Sequence, residues 1–159
     1  MMIAPGRSRE VHNAATGETV RFTRTADETG GELLVMEAHW SRPDHATPPH
    51  IHPAMDERWH VLEGTVGFLI GEEETIAGPG DSVTAAAGVL HTNWNHGDGP
   101  ALMRIELRPA LRWEEFVRQL FALASEDLRD EEAQRSVTEL LTGFTDEIEL
   151  HDPSAEEAT

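Results

Sequence analysis

The chain contains no cysteine. That excludes disulfides and thiolate metal sites, and it suits a reducing cytoplasm. It contains no lysine either: all 12 basic residues are arginine, against 30 Asp and Glu, for a formal net charge of -18. Phosphate binding needs a basic surface, so nucleic acid is not an expected partner. No apolar run approaches the length of a membrane span, so no membrane partner is expected. Residues Met1 to Glu10 hold no apolar stretch of the kind that marks a secretory signal. The expectation is a strongly soluble cytoplasmic protein. A lysine-poor acidic surface would also suit high salt, and GC-rich coding DNA would equally replace Lys by Arg.

At 159 residues the chain is long enough for one domain with its own hydrophobic core. Residues 1–10 read as an N-terminal arm. From Glu10 to Leu107 the pattern is a series of short β-type runs. They cover Glu18 to Thr25, Glu32 to Trp40, His50 to His52, Arg58 to Leu62, Thr65 to Ile70, Glu74 to Ala77, Ser82 to Ala86 and Ala101 to Leu107. Turn residues separate them, most clearly Gly78-Pro79-Gly80-Asp81 and Asn95-His96-Gly97-Asp98-Gly99-Pro100. Many short strands at this spacing predict an all-β antiparallel sandwich or barrel over residues 11–108.

After Pro109 the period changes. Trp113, Phe116, Val117, Leu120 and Phe121 recur at helical steps. Ala133, Val137, Leu140, Leu141, Phe144 and Ile148 predict a second helix. Residues 109–150 are therefore expected as a helical extension. Its simplest role is to cap an open end of the barrel; the sharper one is to cover a pocket mouth or join a dimer interface. Residues 151–159 read as a polar, disordered tail. No internal repeat is present, so one barrel is expected.

The chemistry concentrates in one stretch. His50-Ile51-His52 places two imidazoles on one face of a strand. Asp56-Glu57 follows within a turn, then Gly64, and later Gly88, His91 and Asn95. Three neutral imidazoles and one carboxylate make a site for a divalent transition metal, with positions left for exogenous ligands.

These spacings resemble the two motifs of the cupin family. His50-x-His52-x4-Glu57-x6-Gly64 resembles the first motif and Gly88-x2-His91-x3-Asn95 the second. The resemblance implies an antiparallel double-stranded β-helix, the jelly-roll or cupin barrel, with a C-terminal α-helical extension. It implies His50, His52, Glu57 and His91 as ligands of iron, manganese, nickel, cobalt or zinc. Asp56 is the rival of Glu57, and the six-residue gap to Gly64 selects Glu57. Asp44 and Ala86 stand where the motifs have Gly and Pro. Both are backbone positions, so they bear on turn geometry and not on the ligand set. Gly88 is expected to supply a special backbone angle before His91. His12, His39, His45, His60, His96 and His151 lack this arrangement and are expected on the surface or in loops. Arg108 to Phe116 resembles an extension found in small bacterial and archaeal cupins.

A cupin barrel holds its metal inside, near one mouth. Alternation from Glu57 makes Trp59 and Val61 pocket residues and turns His60 outward. Alternation from His91 does the same for Asn93 and Asn95. Met36, Phe68, Met103 and Ile105 are candidates for apolar wall. Such a pocket suits a hydrophobic or aromatic small molecule.

A carboxylate ligand that loosens from a metal can take a proton from a substrate hydroxyl, which gives Glu57 a catalytic role. Small cupins resembling quercetin 2,3-dioxygenase are thought to work in this way. The resemblance therefore implies a metal-dependent dioxygenase of an enolic or phenolic substrate. A metal-dependent isomerase or cyclase is the alternative, and a non-enzymatic small-molecule-binding cupin is the third. A homodimer is the expected assembly, since small cupins pair through sheet edges and terminal arms.

Overall fold

Alternating burial defines the barrel wall. In β10 (Ala101–Arg108), Ala101, Met103, Ile105 and Leu107 are buried while Arg104 and Arg108 are exposed. In β5 (Asp56–Glu63), Glu57, Trp59 and Val61 are buried between exposed Asp56 and Arg58 and half-buried His60. In β9 (His91–Asn95), His91, Asn93 and Asn95 are buried. A fully buried Leu, Ile or Met side chain contributes about 1.5–3 kcal/mol, so the apolar residues fix the strand faces. The polar ones on the same faces are then carried inward by the pleat.

The structure, a computed structural model, describes residues 7–151. The remaining strands are β1 (Glu10–His12), β2 (Thr19–Arg24), β3 (Leu34–Trp40), β4 (His50–Ile51), β6 (Val66–Ile70), β7 (Glu73–Ala77), β8 (Ser82–Ala85) and β11 (Glu149–Leu150). The helices are α1 (Ala26–Thr29), α2 (Trp113–Leu123) and α3 (Glu131–Thr142). One sheet runs β1-β2-β3-β10-β5-β8 and the other β11-β4-β9-β6-β7. All their pairings are antiparallel. The expected antiparallel barrel with a C-terminal helical part is what the chain forms. The N-terminal arm is described only from Arg7, whose guanidinium reaches Glu115 of α2 at 3.0 Å. Residues 1–6 and 152–159, which include most of the expected tail, lie outside the described residues.

Gly64 makes the turn between β5 and β6 with φ of +81°, and a Cβ there would lie 2.6 Å from the Pro100 carbonyl oxygen. The turn thus needs glycine both for its backbone angle and for the close approach of the neighbouring chain.

The C-terminal part departs from expectation. α2 buries Trp113, Phe116, Val117 and Phe121 on one face. α3 is capped by Asp130, whose carboxylate accepts from the Ala133 N–H at 3.0 Å, and it ends at Thr142. Phe144 and Ile148 were expected on this helix but lie beyond it. Gly143 stops the helix, since glycine costs about 1 kcal/mol inside one. The chain then turns so that Phe144 and Ile148 bury against the core and β11 pairs with β4, Leu150 opposite His50. Strand β9, which carries His91, was not among the predicted runs, nor were strands β1 and β11 and helix α1, only two to four residues each. Pieces of this length carry too little periodicity to read.

No helix among the described residues is long and apolar enough to cross a membrane.

Candidate metal centre

His50, His52, Glu57 and His91 come together inside the barrel, and one potential ligand atom from each lies within 4.8 Å of all the others. The two sheets share the task. His50 on β4 pairs directly with His91 on β9. His52 follows two residues after His50, and Glu57 enters from β5 on the opposite sheet. All four are buried.

Each imidazole is oriented by a backbone carbonyl at its far nitrogen. His50 Nδ1 donates to Pro48 O at 2.7 Å, His52 Nδ1 to Glu147 O at 2.8 Å, and His91 Nδ1 to Val89 O at 3.0 Å. A proton held on Nδ1 leaves Nε2 as the nitrogen available for a metal. His91 Nε2 is buried without a hydrogen-bond partner and stands 3.3 Å from Glu57 Oε1. His52 Nε2 is 2.8 Å from that same oxygen. A buried nitrogen with no donor or acceptor, beside a buried carboxylate, is the arrangement a divalent cation would satisfy.

The electrostatics agree. Burial, reinforced by His91 and His52, pulls His50 down to about 4, so its ring is neutral and able to ligate. Burial alone would raise Glu57, but the charge and hydrogen bond of His52 and the contact with His91 outweigh it and hold the carboxyl below its ordinary range. For His52, burial pulls down while the Glu57 charge and hydrogen bond push up, and the upward effect wins. The centre therefore favours positive charge beside Glu57.

Gly88 has φ of +82°, the left-handed angle expected of it, and its N–H donates to the His52 carbonyl at 2.9 Å. This bond ties the turn before His91 to the loop carrying His52. Ala86 at the preceding motif position does not prevent it. Trp113 meets the His52 ring edge-on at 4.9 Å between centroids, and Trp59 meets His91 at 5.4 Å. Such aromatic neighbours keep water away and strengthen local electrostatics.

A cavity of about 260 Å³ opens from this centre. Met36, Trp59 and Ile105 of the barrel form one part of its wall, and Trp113, Phe116, Val117, Leu120 and Phe121 of α2 form another. Val137, Leu141, Ile148 and Leu150 complete the C-terminal side. The helical part thus covers a pocket mouth, which is more than the simple cap of a closed barrel.

Of the four expected pocket residues, Trp59 and Asn93 line the cavity and Val61 and Asn95 do not. Alternation gave the face of Val61 correctly, but that face runs the length of the barrel, and at Val61 it is packed core. Asn95 is occupied as a structural clamp, donating to Arg42 O at 3.0 Å and Gly99 O at 2.9 Å. Met36 and Ile105 also line the cavity, whereas Phe68 and Met103 belong to the core.

Among the cavity-wall residues that were missed, two are titratable. His45, expected on the surface or in a loop, lies in a loop but is buried, stacks on Trp40 at 4.3 Å and lines the cavity. Burial pulls it down to about 4, so it is neutral. Glu18 also lines the cavity, with Oε2 accepting from Trp40 Nε1 at 3.0 Å. Its signal was present in the sequence: Glu18, just before β2, extends the alternation of Val20 and Phe22, both of them buried.

Residues 41–107 match the Cupin domain family. No curated protein matches the chain in sequence. An RmlC-like cupin from Shewanella frigidimarina NCIMB 400 superposes with a TM-score of 0.56 at 15% identity, covering 72% of this chain and 96% of that one. KdgF from Halomonas sp. gives 0.55 at 16% identity, covering 69% and 92%. A sugar phosphate isomerase from a cupin superfamily, from Silicibacter pomeroyi DSS-3, gives 0.50 at 25% identity, covering 60% and 61%. The first two likenesses bear on fold alone. The chain therefore folds as an antiparallel two-sheet barrel with a C-terminal helical part along its cavity, and residues 41–107 of that barrel are similar to the Cupin domain family.

Proposed function

We propose that this protein is a metal-dependent dioxygenase acting on a largely apolar small molecule with an enolic or phenolic hydroxyl. The observation that carries the reading is the composition of the cavity at the metal centre. Its walls are mostly Trp, Phe, Met, Leu, Ile and Val, and the charged groups at its wall are the carboxylates Glu18 and Glu57. None of the residues lining it is arginine, and the chain has no lysine. A phosphorylated or multiply carboxylated substrate would meet no cation from the protein and two carboxylates. That weighs against carrying over the substrate class in the name of the Silicibacter pomeroyi isomerase. An aromatic or aliphatic molecule with one ionisable oxygen fits.

In this reading His50, His52, Glu57 and His91 hold the metal. A redox-active metal held there would supply the electron-transfer chemistry that dioxygen requires, and zinc would supply Lewis-acid chemistry alone. The three carbonyl-pinned imidazoles keep the donor set fixed. Glu57 Oε accepts the proton of the substrate hydroxyl, and the resulting anion is the electron-rich form that dioxygen attacks. Trp59 and Trp113 exclude competing water.

The test is oxygen uptake by iron-, manganese-, nickel- and cobalt-loaded protein with a panel of enols and phenols. Consumption of dioxygen matched to loss of substrate supports the proposal. Conversion that proceeds equally under strict anaerobiosis would replace it with a metal-dependent isomerase or cyclase.

A further inference from the structure

The cavity has polar groups that the metal centre does not use. Glu18 immediately precedes β2, which is three strands from the Glu57 strand in the same sheet. Its Oε2 is held by the Trp40 indole N–H, while Oε1 has no hydrogen-bond partner among the described residues. The His45 ring lies nearly parallel to the same indole, 22° between planes, and is 8% exposed. Neither of its ring nitrogens has a hydrogen-bond partner among the described residues. Both side chains line the cavity that also reaches His50 and Glu57.

Buried polar atoms without partners are costly, about 1–3 kcal/mol each. Glu18 and His45, braced on one tryptophan, instead turn polar atoms that make no hydrogen bond toward one cavity, where a bound molecule can meet them. Their chemistry is complementary. A carboxylate accepts, and a neutral imidazole offers one donor and one acceptor. A hydroxyl, which donates once and accepts, satisfies both. An anion would be repelled by Glu18, and a purely apolar group would leave both unpaired.

We propose that Glu18 and His45, both braced on Trp40, form a second polar subsite that binds a hydroxyl of the substrate distinct from the one at the metal centre. The inference rests on the small-molecule reading above and narrows it. The substrate carries two hydroxyl groups on an apolar frame, and Glu18 and His45 determine specificity for the second. Glu18 also has its carboxyl pushed up to about 7 by burial, opposed by the Trp40 hydrogen bond and reinforced by the charge of Glu57.

The experiment uses zinc-loaded protein, so that the probes bind without oxidation, and compares 2-naphthol with 2,6-dihydroxynaphthalene by calorimetry. The second hydroxyl is expected to tighten binding about tenfold in the natural protein, the equivalent of one good hydrogen bond. Glu18→Leu and His45→Phe should abolish that gain, so that each variant binds the two probes with affinities within about twofold of each other. Glu18→Gln, which can still accept from Trp40, should retain part of it, and thermal unfolding checks that each variant is folded. Equal affinity for the two probes in the natural protein, or a gain that survives Glu18→Leu and His45→Phe, overturns the subsite. The His50→Ala, His52→Ala double variant separates this from the broader reading. If 2-naphthol needs the intact centre but the second hydroxyl adds nothing, the subsite is wrong and the metal-anchored reading stands. If the gain persists while the double variant binds 2-naphthol normally, the subsite stands and the anchoring is wrong. Failure of both probes to bind the natural protein overturns both.

Discussion

The carbonyl of Glu147 accepts a hydrogen bond from His52 Nδ1 at 2.8 Å, joining residues 95 positions apart. The C-terminal segment therefore orients an imidazole of the candidate metal centre as well as walling the cavity. The Glu147 side chain is itself buried, and its carboxylate is bound by Arg112 at 3.0 Å. Arg112 also donates to Gly143 O at 2.7 Å, clamping the turn that delivers Glu147 to His52.

Arg112→Ala should leave the Glu147 carboxylate buried without a partner. Because the Arg112 side chain is largely exposed, the expected cost is about 1–3 kcal/mol, below that of breaking a fully buried pair. Metal affinity should fall about tenfold as the His52 ring loses its orientation. Urea unfolding of the metal-free protein and a chelator competition titration measure the two effects. An unchanged metal affinity would show that the His52–Glu147 bond survives without the clamp.

Glu57→Gln should separate binding from turnover. The amide still offers an oxygen to the metal, so metal content should remain measurable. Turnover should fall by about 10²–10⁴-fold, the usual contribution of a placed proton acceptor. Single-turnover kinetics beside elemental analysis of the same sample decide it, and retention of full activity would remove Glu57 from the base role.

Glu18 should make the metal-free protein's stability depend on pH in a recognisable direction. Burial, opposed by the Trp40 hydrogen bond and aided by the Glu57 charge, raises its carboxyl from 4.5 to about 7. The folded state therefore binds this proton more tightly than the unfolded chain does. The contribution is fully present below pH 4.5 and is lost as pH rises through 7. Relative to Glu18→Gln, the natural protein should lose stability across that window and level off above it. Burial lowers His45 and His50 to about 4, and their effect runs oppositely over much of the same range. The difference between the two proteins, not either curve alone, carries the test. A difference that stays flat with pH would contradict the environment assigned to Glu18.

Gly64→Ala should destabilise the barrel by about 1–3 kcal/mol, because the residue has a left-handed backbone and its new methyl would meet the Pro100 carbonyl. The change lies in the turn between β5 and β6, away from the ligands, so metal stoichiometry should be unchanged. Chemical denaturation of natural and variant protein measures it, and a stability equal to the natural protein's would show that the turn can relax.

The metal cluster was legible because its residues follow a short spacing on strands whose alternation is visible. Glu57 and Trp59 share a face, and the apolar partners of that strand declare which face is inward. Glu18 was legible in principle from Val20 and Phe22, but a carboxylate on an apolar face draws attention only once a cavity is seen behind it. His45 was not legible. It lies in a loop without periodicity, and its burial comes from long-range pairing, with Asn95 N–H donating to His45 O at 2.8 Å. Val61 and Asn95 show the converse limit, since a period of two gives the side of a strand and not its depth within the barrel. The end of α3 was legible at Gly143, but the apolar steps of Phe144 and Ile148 masked it.

The central claim is that His50, His52, Glu57 and His91 hold a divalent transition metal. Elemental analysis of protein purified without added metal, beside the His50→Ala, His52→Ala double variant, tests it most directly. The account predicts close to one iron, manganese, nickel, cobalt or zinc per chain, lost in the double variant while the barrel stays folded. Metal-free protein that also fails to take up any of these ions on reconstitution would contradict it.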